Sequence, residues 1–204
     1  MNISKDLHRL LQGKELLIFD FDGTIVNTSP LHAAAFGEVL SSLGIGVDYA
    51  TIAGLKTLDA MQKCLNEAAQ FLPETVVNEL VVAKQERVRE MIALDLQPLP
   101  GVDDFLRWAR KFYRLAMYTS GSHGTVSLSL EKLSYTGWFD PLICANHIHK
   151  AKPDPEGFLK VLEMTGCSAN KALVIEDSEV GFEAARCAGL DYIDIIDLLV
   201  HYGI

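Results

Sequence analysis

The chain of 204 residues is 49% hydrophobic and 22% charged, a composition typical of a folded globular protein and not of a disordered one. Acidic residues outnumber basic ones by 27 to 18, giving a net charge of −9, and this balance argues against a nucleic-acid-binding protein. No apolar run reaches the roughly 18 residues of a membrane helix, so we expect no membrane partner.

The N-terminal segment and the cysteines bear on the cellular compartment. The first residues, MNISKDLHRLLQGKELLIFD, carry charges throughout and lack the pattern of a signal peptide. The cysteines form no C-x-x-C pair, so we expect reduced thiols at Cys64, Cys144, Cys167 and Cys187. We therefore expect a cytoplasmic protein. Separately, we expect a monomer.

Short apolar runs along the chain predict buried β-strands, because each run is continuous and does not alternate with polar residues. The runs are Glu15–Asp20, Arg114–Thr119, Pro141–Ala145, Ala172–Glu176 and Tyr192–Ile196. Segments with helical periodicity lie between them, at Val102–Phe112, Thr125–Leu133, Pro155–Met164 and Glu179–Ala188. This alternation predicts an α/β protein whose parallel sheet is covered by helices on both faces.

One stretch after the first strand contains helical patterns and no convincing strand. Its predicted helices are His32–Leu43, Leu58–Ala69 and Glu74–Ala93, and the charges of the third indicate a solvated face: Lys84, Glu86, Arg87, Arg89 and Glu90. The segment QPLPG at residues 97–101 leads back to the strand pattern. We therefore expect a core domain of residues 1–27 and 97–204 and an inserted helical domain of residues 28–96.

The carboxyl ends of the predicted strands are where an open parallel sheet binds its ligands. The first strand is followed by DFDGT, whose Asp20 and Asp22 can face one cleft because they lie two residues apart in extended chain. On its own such a segment is more often a simple turn. The second strand ends in Thr119, Ser120 and Gly121, whose hydroxyls and backbone N–H groups suit a phosphate, although a helix cap is the simpler explanation there.

The third and fourth strand ends add a lysine and an acidic pair. Lys152 precedes a rigid Pro-x-Pro segment, and the fourth strand ends in Glu176 and Asp177. Clustered carboxylates repel one another, and a hard divalent cation such as Mg²⁺ would compensate for that repulsion. If each segment were only a turn or a cap, four unrelated segments would have to carry these residues in this order by chance. One site for a phosphorylated substrate and a metal ion is the more plausible explanation.

Together these segments resemble the haloacid dehalogenase (HAD) superfamily, whose four motifs match DFDGT, Thr119, Lys152 and Glu176-Asp177. The segment VIEDSEVGFEAARCAGL is similar to the β-phosphoglucomutase-like branch. The resemblance covers about residues 15 to 196. It implies a HAD-like core, which is a Rossmann-like parallel sheet sandwiched by helices, and an inserted α-helical cap.

The resemblance also implies a role for each motif residue. Asp20 would be the nucleophile and Asp22 the general acid and base, while Thr119 and Lys152 would hold the phosphoryl oxygens. Mg²⁺ would be held by Asp20, Asp22 through its backbone carbonyl, and Asp177 with help from Glu176. The remaining predicted substrate-binding residues are Gly23, Thr24, Ser120 and Gly121 in the core and His32 and Lys56 in the cap.

The second aspartate and the cap separate the activities that the resemblance allows, and a phosphatase and a phosphoglucomutase remain as rivals. Asp22 disfavours a dehalogenase, which needs no acid at that position. A phosphoglucomutase would bind a second phosphate with a cap arginine, whose place, counted from Gly54, is taken by Thr57. Lys56 is adjacent and Lys84 or Arg87 could approach from the third cap helix, so a second anion site is weakened but stays open. The chain resembles bacterial fructose-1-phosphate-type phosphatases in the third cap helix with its exit at residues 96–102, and in HIHKAKPDPEGF.

We therefore predict a Mg²⁺-dependent phosphatase that hydrolyses a small sugar phosphate through an aspartyl-phosphate. The alternatives are phosphoryl transfer of the β-phosphoglucomutase type and a non-catalytic binding module. The segments at residues 27–30 and 97–101 are predicted to act as hinges of the cap.

Overall fold

The computed structural model describes residues 4–53 and 55–203. The chain divides into two compact units, a core unit of residues up to 27 and from 97, and a cap unit of residues 28–96. Gly54, from which the place of Thr57 was counted, lies outside the described residues.

The described residues contain nine α-helices and five strands. In chain order these are α1 (Lys5–Leu11), β1 (Leu16–Phe19), α2 (Ser29–Ser41), α3 (Thr57–Glu67), α4 (Glu74–Asp95), α5 (Val102–Ala109), β2 (Arg114–Tyr118), α6 (His123–Lys132), β3 (Leu142–Ile143), α7 (Glu156–Thr165), β4 (Ala172–Glu176), α8 (Glu179–Cys187), β5 (Asp191–Asp194) and α9 (Ile195–Tyr202). None of the described helices is long and apolar enough to cross a membrane.

The strands form one parallel sheet in the order β3-β2-β1-β4-β5, which confirms the predicted fold class. The central strand β1 is buried along its whole length. Ile18 packs with Phe158 of α7 on one face of the sheet, whereas Phe19 packs against Phe105 of α5 on the other. Burial on both faces explains why the sequence of this strand is continuously apolar.

The end of the sheet differs from the prediction. The fifth strand was expected to run to Ile196, but it ends at Asp194, whose side chain accepts a hydrogen bond from the Ile196 N–H at 2.7 Å. This contact caps α9, so the apolar residues Ile195 and Ile196 begin a helix and do not extend the strand. Helices α1 and α9 were not predicted. They are linked by a hydrogen bond from the N–H of Ser4, just before α1, to the carbonyl of His201 in α9, at 2.9 Å.

The cap unit contains α2, α3 and α4 around its own buried cluster, which includes Phe36, Leu40 and Met61. The prediction of a solvated face on α4 is wrong for Lys84, which is 1% exposed. Lys84 lies seven residues after Val77 and four before Val88, so it falls on the same buried stripe of the helix as those two valines. Glu86, in contrast, is exposed.

Candidate active site

Three carboxylates meet where β1 and β4 end side by side. Asp20 continues the ladder of β1, since its N–H bonds the carbonyl of Ile175 at 3.0 Å, and Glu176 is the last residue of β4. Asp20, Glu176 and Asp177 each offer an oxygen within 4.8 Å of the others. Asp20 and Glu176 are buried, whereas Asp177 is exposed. Adjacent parallel strands thus bring together acids that are more than 150 residues apart in the chain.

Lys152 is buried between two of these carboxylates. Its Nζ donates to Asp20 Oδ1 at 2.5 Å and to Glu176 Oε1 at 2.6 Å, and its side chain is 3% exposed. The second oxygen of Glu176 accepts from the N–H groups of Asp177 and Ser178 at 2.7 and 2.8 Å and from the Ser178 hydroxyl at 2.9 Å. Both oxygens of Glu176 are therefore engaged, and Glu176 fixes the position of Lys152.

The cluster carries more negative than positive charge, and the pKa values reflect this. Burial raises the pKa of Asp20 to about 7, because Lys152 opposes the effect only in part while Glu176 and Asp177 add to it. Burial and the charge of Glu176 raise the pKa of Asp177 to about 6. Burial disfavours the charged form of Lys152 as well, but two carboxylates outweigh it and the pKa of Lys152 is raised. The single positive charge of Lys152 does not balance the negative charges of three carboxylates.

The residues at this site fit a hard divalent cation. Carboxylate oxygens are the ligands that Mg²⁺ prefers, and added positive charge would lower the pKa values that burial and mutual repulsion raise. Asp20 and Asp177 are the ligands best placed for it, because both oxygens of Glu176 already accept hydrogen bonds.

The loop after β1 places Gly23 and Thr24 against Asp177. Thr24 donates its hydroxyl proton to Asp177 Oδ1 at 3.1 Å. Gly23 has a φ of +96°, and a Cβ atom at this position would collide with the Asp177 carboxylate. Only glycine satisfies both conditions, so the glycine of DFDGT holds the loop close to the acidic cluster. Asp22, one residue earlier, is exposed.

The loop after β2 is built around a buried hydroxyl. Thr119 is 2% exposed, and its Oγ1 accepts from the N–H of Gly121 at 3.0 Å, so the hydroxyl proton can be donated to another group. Ser122 caps α6 by accepting from the N–H of Thr125, and Ser120 is exposed beside it. The helix cap is therefore observed at Ser122, while phosphate binding by this segment stays a prediction for which Thr119 offers a buried donor.

The two predicted cap residues belong to the other unit. Within the cap unit, the Nζ of Lys84 lies 2.8 Å from Nδ1 of His32 and 4.6 Å from the centroid of the Phe36 ring. Burial lowers the pKa of Lys84 to about 8. Lys56 is exposed immediately before α3. Lys84 was missed as a partner of His32 because a charged residue was assigned to the solvated face, although its spacing from Val77 indicated burial.

Comparisons with known proteins show which family the sequence matches. A sequence model of a family described as haloacid dehalogenase-like hydrolase matches residues 17–195. The chain is 32% identical to fructose-1-phosphate phosphatase YqaB of Escherichia coli (strain K12) over 183 residues, which cover 88% of this chain and 95% of that protein. It is 31% identical to a phosphorylated carbohydrates phosphatase of Thermotoga maritima, covering 88% of this chain and 83% of that one.

A solved structure shows the same fold. CbbY from Rhodobacter sphaeroides, crystallised in complex with phosphate, superimposes with a TM-score of 0.75 and 26% sequence identity over 89% of this chain and 85% of its own. The resemblance based on the four motifs is confirmed by these matches.

Proposed function

Because the chain belongs to the haloacid dehalogenase-like hydrolase family, we propose that it is a Mg²⁺-dependent phosphatase that hydrolyses a small sugar phosphate through an aspartyl-phosphate on Asp20. It is a hydrolase of phosphate monoesters. The observation that supports the mechanism best is the buried Lys152, which bridges Asp20 and Glu176 beside the third carboxylate, Asp177.

In this proposal Asp20 attacks the phosphorus atom of the substrate and the sugar oxygen leaves. Lys152 donates to Oδ1 of Asp20, which favours the ionised carboxylate and leaves the other oxygen to form the bond to phosphorus. Asp22 gives its proton to the leaving oxygen and then takes a proton from the water that hydrolyses the aspartyl-phosphate. The products are the sugar and inorganic phosphate, and both aspartates return to their starting forms.

The transferring phosphoryl group would be held by the strand-end residues. Thr119 has a buried hydroxyl proton available for donation, and Ser120 and Gly121 follow it in the same loop. Mg²⁺, held by Asp20, the backbone carbonyl of Asp22 and Asp177, would neutralise charge on the phosphoryl group. Glu176 would act mainly by holding Lys152, since each of its oxygens already accepts at least one hydrogen bond.

The proposed substrate class comes from the relatives and the cap. Both curated relatives described above are phosphatases of phosphorylated sugars or carbohydrates. We propose that His32 and Lys56 of the cap unit contact the substrate. The mutase alternative is not favoured. Thr57, a neutral residue that begins α3, stands where the resemblance implies a phosphate-binding arginine in a mutase. A binding module without activity has no support either, since every motif residue is in place.

Phosphate release from a panel of phosphorylated metabolites tests this proposal. We expect release that requires Mg²⁺, stops when EDTA is added, and has its highest kcat/KM with a sugar phosphate such as fructose 1-phosphate. The variant Asp20→Asn should release none. A preference of about tenfold or more for phosphoglycolate would contradict the substrate class. Formation of glucose 6-phosphate from β-glucose 1-phosphate without net release would contradict hydrolysis. We place the reaction in the cytoplasm.

A further inference from the structure

The ammonium group of Lys152 contacts an aromatic ring as well as two carboxylates. Its Nζ lies 4.9 Å from the centroid of the Tyr118 ring and 5.7 Å from that of Phe158. An ammonium group has three N–H bonds, and two of them point to Asp20 and Glu176. A ring face attracts the charge but offers no directional acceptor for the third N–H.

We propose that Tyr118 is a positioning residue for Lys152. The face of its ring, which we call the seat, supports the ammonium group so that the third N–H points toward the phosphoryl group of the substrate. This inference rests on the proposed phosphatase function and adds to it a residue outside the four motifs. The seat acts through Lys152 and does not itself contact the substrate. Its attraction is strengthened by burial, because cation–π contacts gain from the loss of water.

The neighbours of Tyr118 hold the ring in one orientation. Tyr118 is the last residue of β2 and is 0% exposed. Phe158 of α7 meets it edge to face, with ring centroids 4.9 Å apart and an interplanar angle of 89°. Gly157, also on α7, lies so close that a Cβ atom there would collide with carbons of the Tyr118 ring. The helix that follows the Lys152 segment can therefore pack directly on the ring only because residue 157 is glycine.

The hydroxyl of Tyr118 does not account for the position of this residue beside Lys152. It is buried and has no hydrogen-bond partner of normal geometry within residues 4–53 and 55–203. The backbone of Lys152 comes near enough to act on the pKa of the hydroxyl but does not complete such a bond. Burial of an unpaired hydroxyl is unfavourable, so hydrogen bonding does not explain the choice of an aromatic residue here. A phenylalanine would keep the face presented to Lys152.

Steady-state kinetics of three variants test the proposal. Tyr118→Leu keeps an apolar side chain but removes the ring face, and we expect kcat to fall by roughly tenfold or more while KM changes by less than about threefold. Tyr118→Phe should restore most of that loss. Val161→Ala is the control, because Val161 is a buried member of the same hydrophobic cluster and carries no ring that could face Lys152. The thermal stability of this variant should fall while its kcat stays nearly unchanged.

A second measurement separates this inference from the proposed function. NMR relaxation of the Lys152 side chain reports its order without any turnover, and we expect the order parameter to fall in Tyr118→Leu but not in Tyr118→Phe or Val161→Ala. An unchanged order parameter in Tyr118→Leu, or a kcat loss no larger than that of Val161→Ala, would overturn the seat. If the wild type released no phosphate from any ester while the order parameter still fell in Tyr118→Leu, the proposed function would fail and the seat for Lys152 would remain.

Discussion

Removing the charge of Asp20 from the buried acidic cluster should stabilise the protein in the absence of divalent cations. The pKa of Asp20 is raised from 3.8 to about 7, so the ionised form is penalised in the folded state. Each pKa unit corresponds to 1.36 kcal/mol, which sets an upper limit of about 4 kcal/mol on the penalty. Lys152 can still pair with Glu176 after the substitution. We therefore expect Asp20→Asn to raise the free energy of unfolding by about 2 kcal/mol at pH 8.

The sign of the pH dependence follows from linkage. Between pH 3.8 and about 7 the folded protein binds a proton at Asp20 that the unfolded chain does not hold, so stability falls as the pH rises through this window. Below the window both states are protonated and the penalty is absent. The difference between Asp20→Asn and wild type should thus be largest at pH 8 and should shrink as the pH approaches 4.

Urea unfolding with EDTA present, at several pH values, measures this difference. Glu86→Gln is a matched control, since it removes one negative charge from an exposed position on α4 and should show no such window. Added Mg²⁺ should stabilise wild type more than Asp20→Asn, because the substitution removes a ligand. A variant less stable than wild type at pH 8, or a difference that grows on acidification, would refute the reasoning.

Three further outcomes are expected. Gly23→Ala should reduce kcat/KM by about a hundredfold, because the new Cβ displaces Asp177 and strains a residue with a φ of +96°. The circular dichroism spectrum should stay that of wild type, and near-normal activity would show that the loop relaxes at no cost. Thr119→Ala should lower kcat/KM by about ten- to a hundredfold, and Thr119→Ser should recover most of it, since only the hydroxyl is needed; equal losses in both would contradict a role as donor. Lys84→Met should raise the free energy of unfolding in urea at pH 7. Because the pKa of Lys84 is lowered from 10.5 to about 8, this gain in stability should disappear as the pH rises from 8 to 10.5. A gain that persists at pH 10.5 would show that the effect is packing and not charge.

The central strands could be predicted from the sequence, because burial on both faces leaves a continuous apolar run such as Leu16–Phe19. The edge of the sheet could not be bounded in the same way. Ile195 and Ile196 prolong an apolar run, and the signal that ends the strand is the side chain of Asp194, whose capping bond depends on the local geometry of the chain. Periodicity alone does not distinguish a capping aspartate from a strand aspartate.

The acids and the lysine of the site could be predicted from the sequence, because each lies at or after the end of a predicted strand. Tyr118 could not, since an aromatic residue inside a buried strand is what any hydrophobic core requires, and its relation to Lys152 exists only once α7 packs on the sheet. Lys84 was within reach of the sequence, because its spacing from Val77 and Val88 places it on the buried side of α4. Its charge was given more weight than its position.

The two ends of the cap insertion leave the core side by side. Val26 forms an antiparallel bridge with Pro98, and the Leu99 N–H bonds the carbonyl of Ile25 at 2.8 Å. Antiparallel neighbours can be joined by a turn of two residues, and lengthening such a connection costs only about 0.6 kcal/mol for each doubling of its length. The core therefore holds the two ends of the inserted cap as it would hold the ends of a hairpin loop, whatever the length of the insertion. The cap can therefore be replaced, enlarged or shortened at this junction without redesigning the sheet, and the carboxylates at the ends of β1 and β4 keep their places.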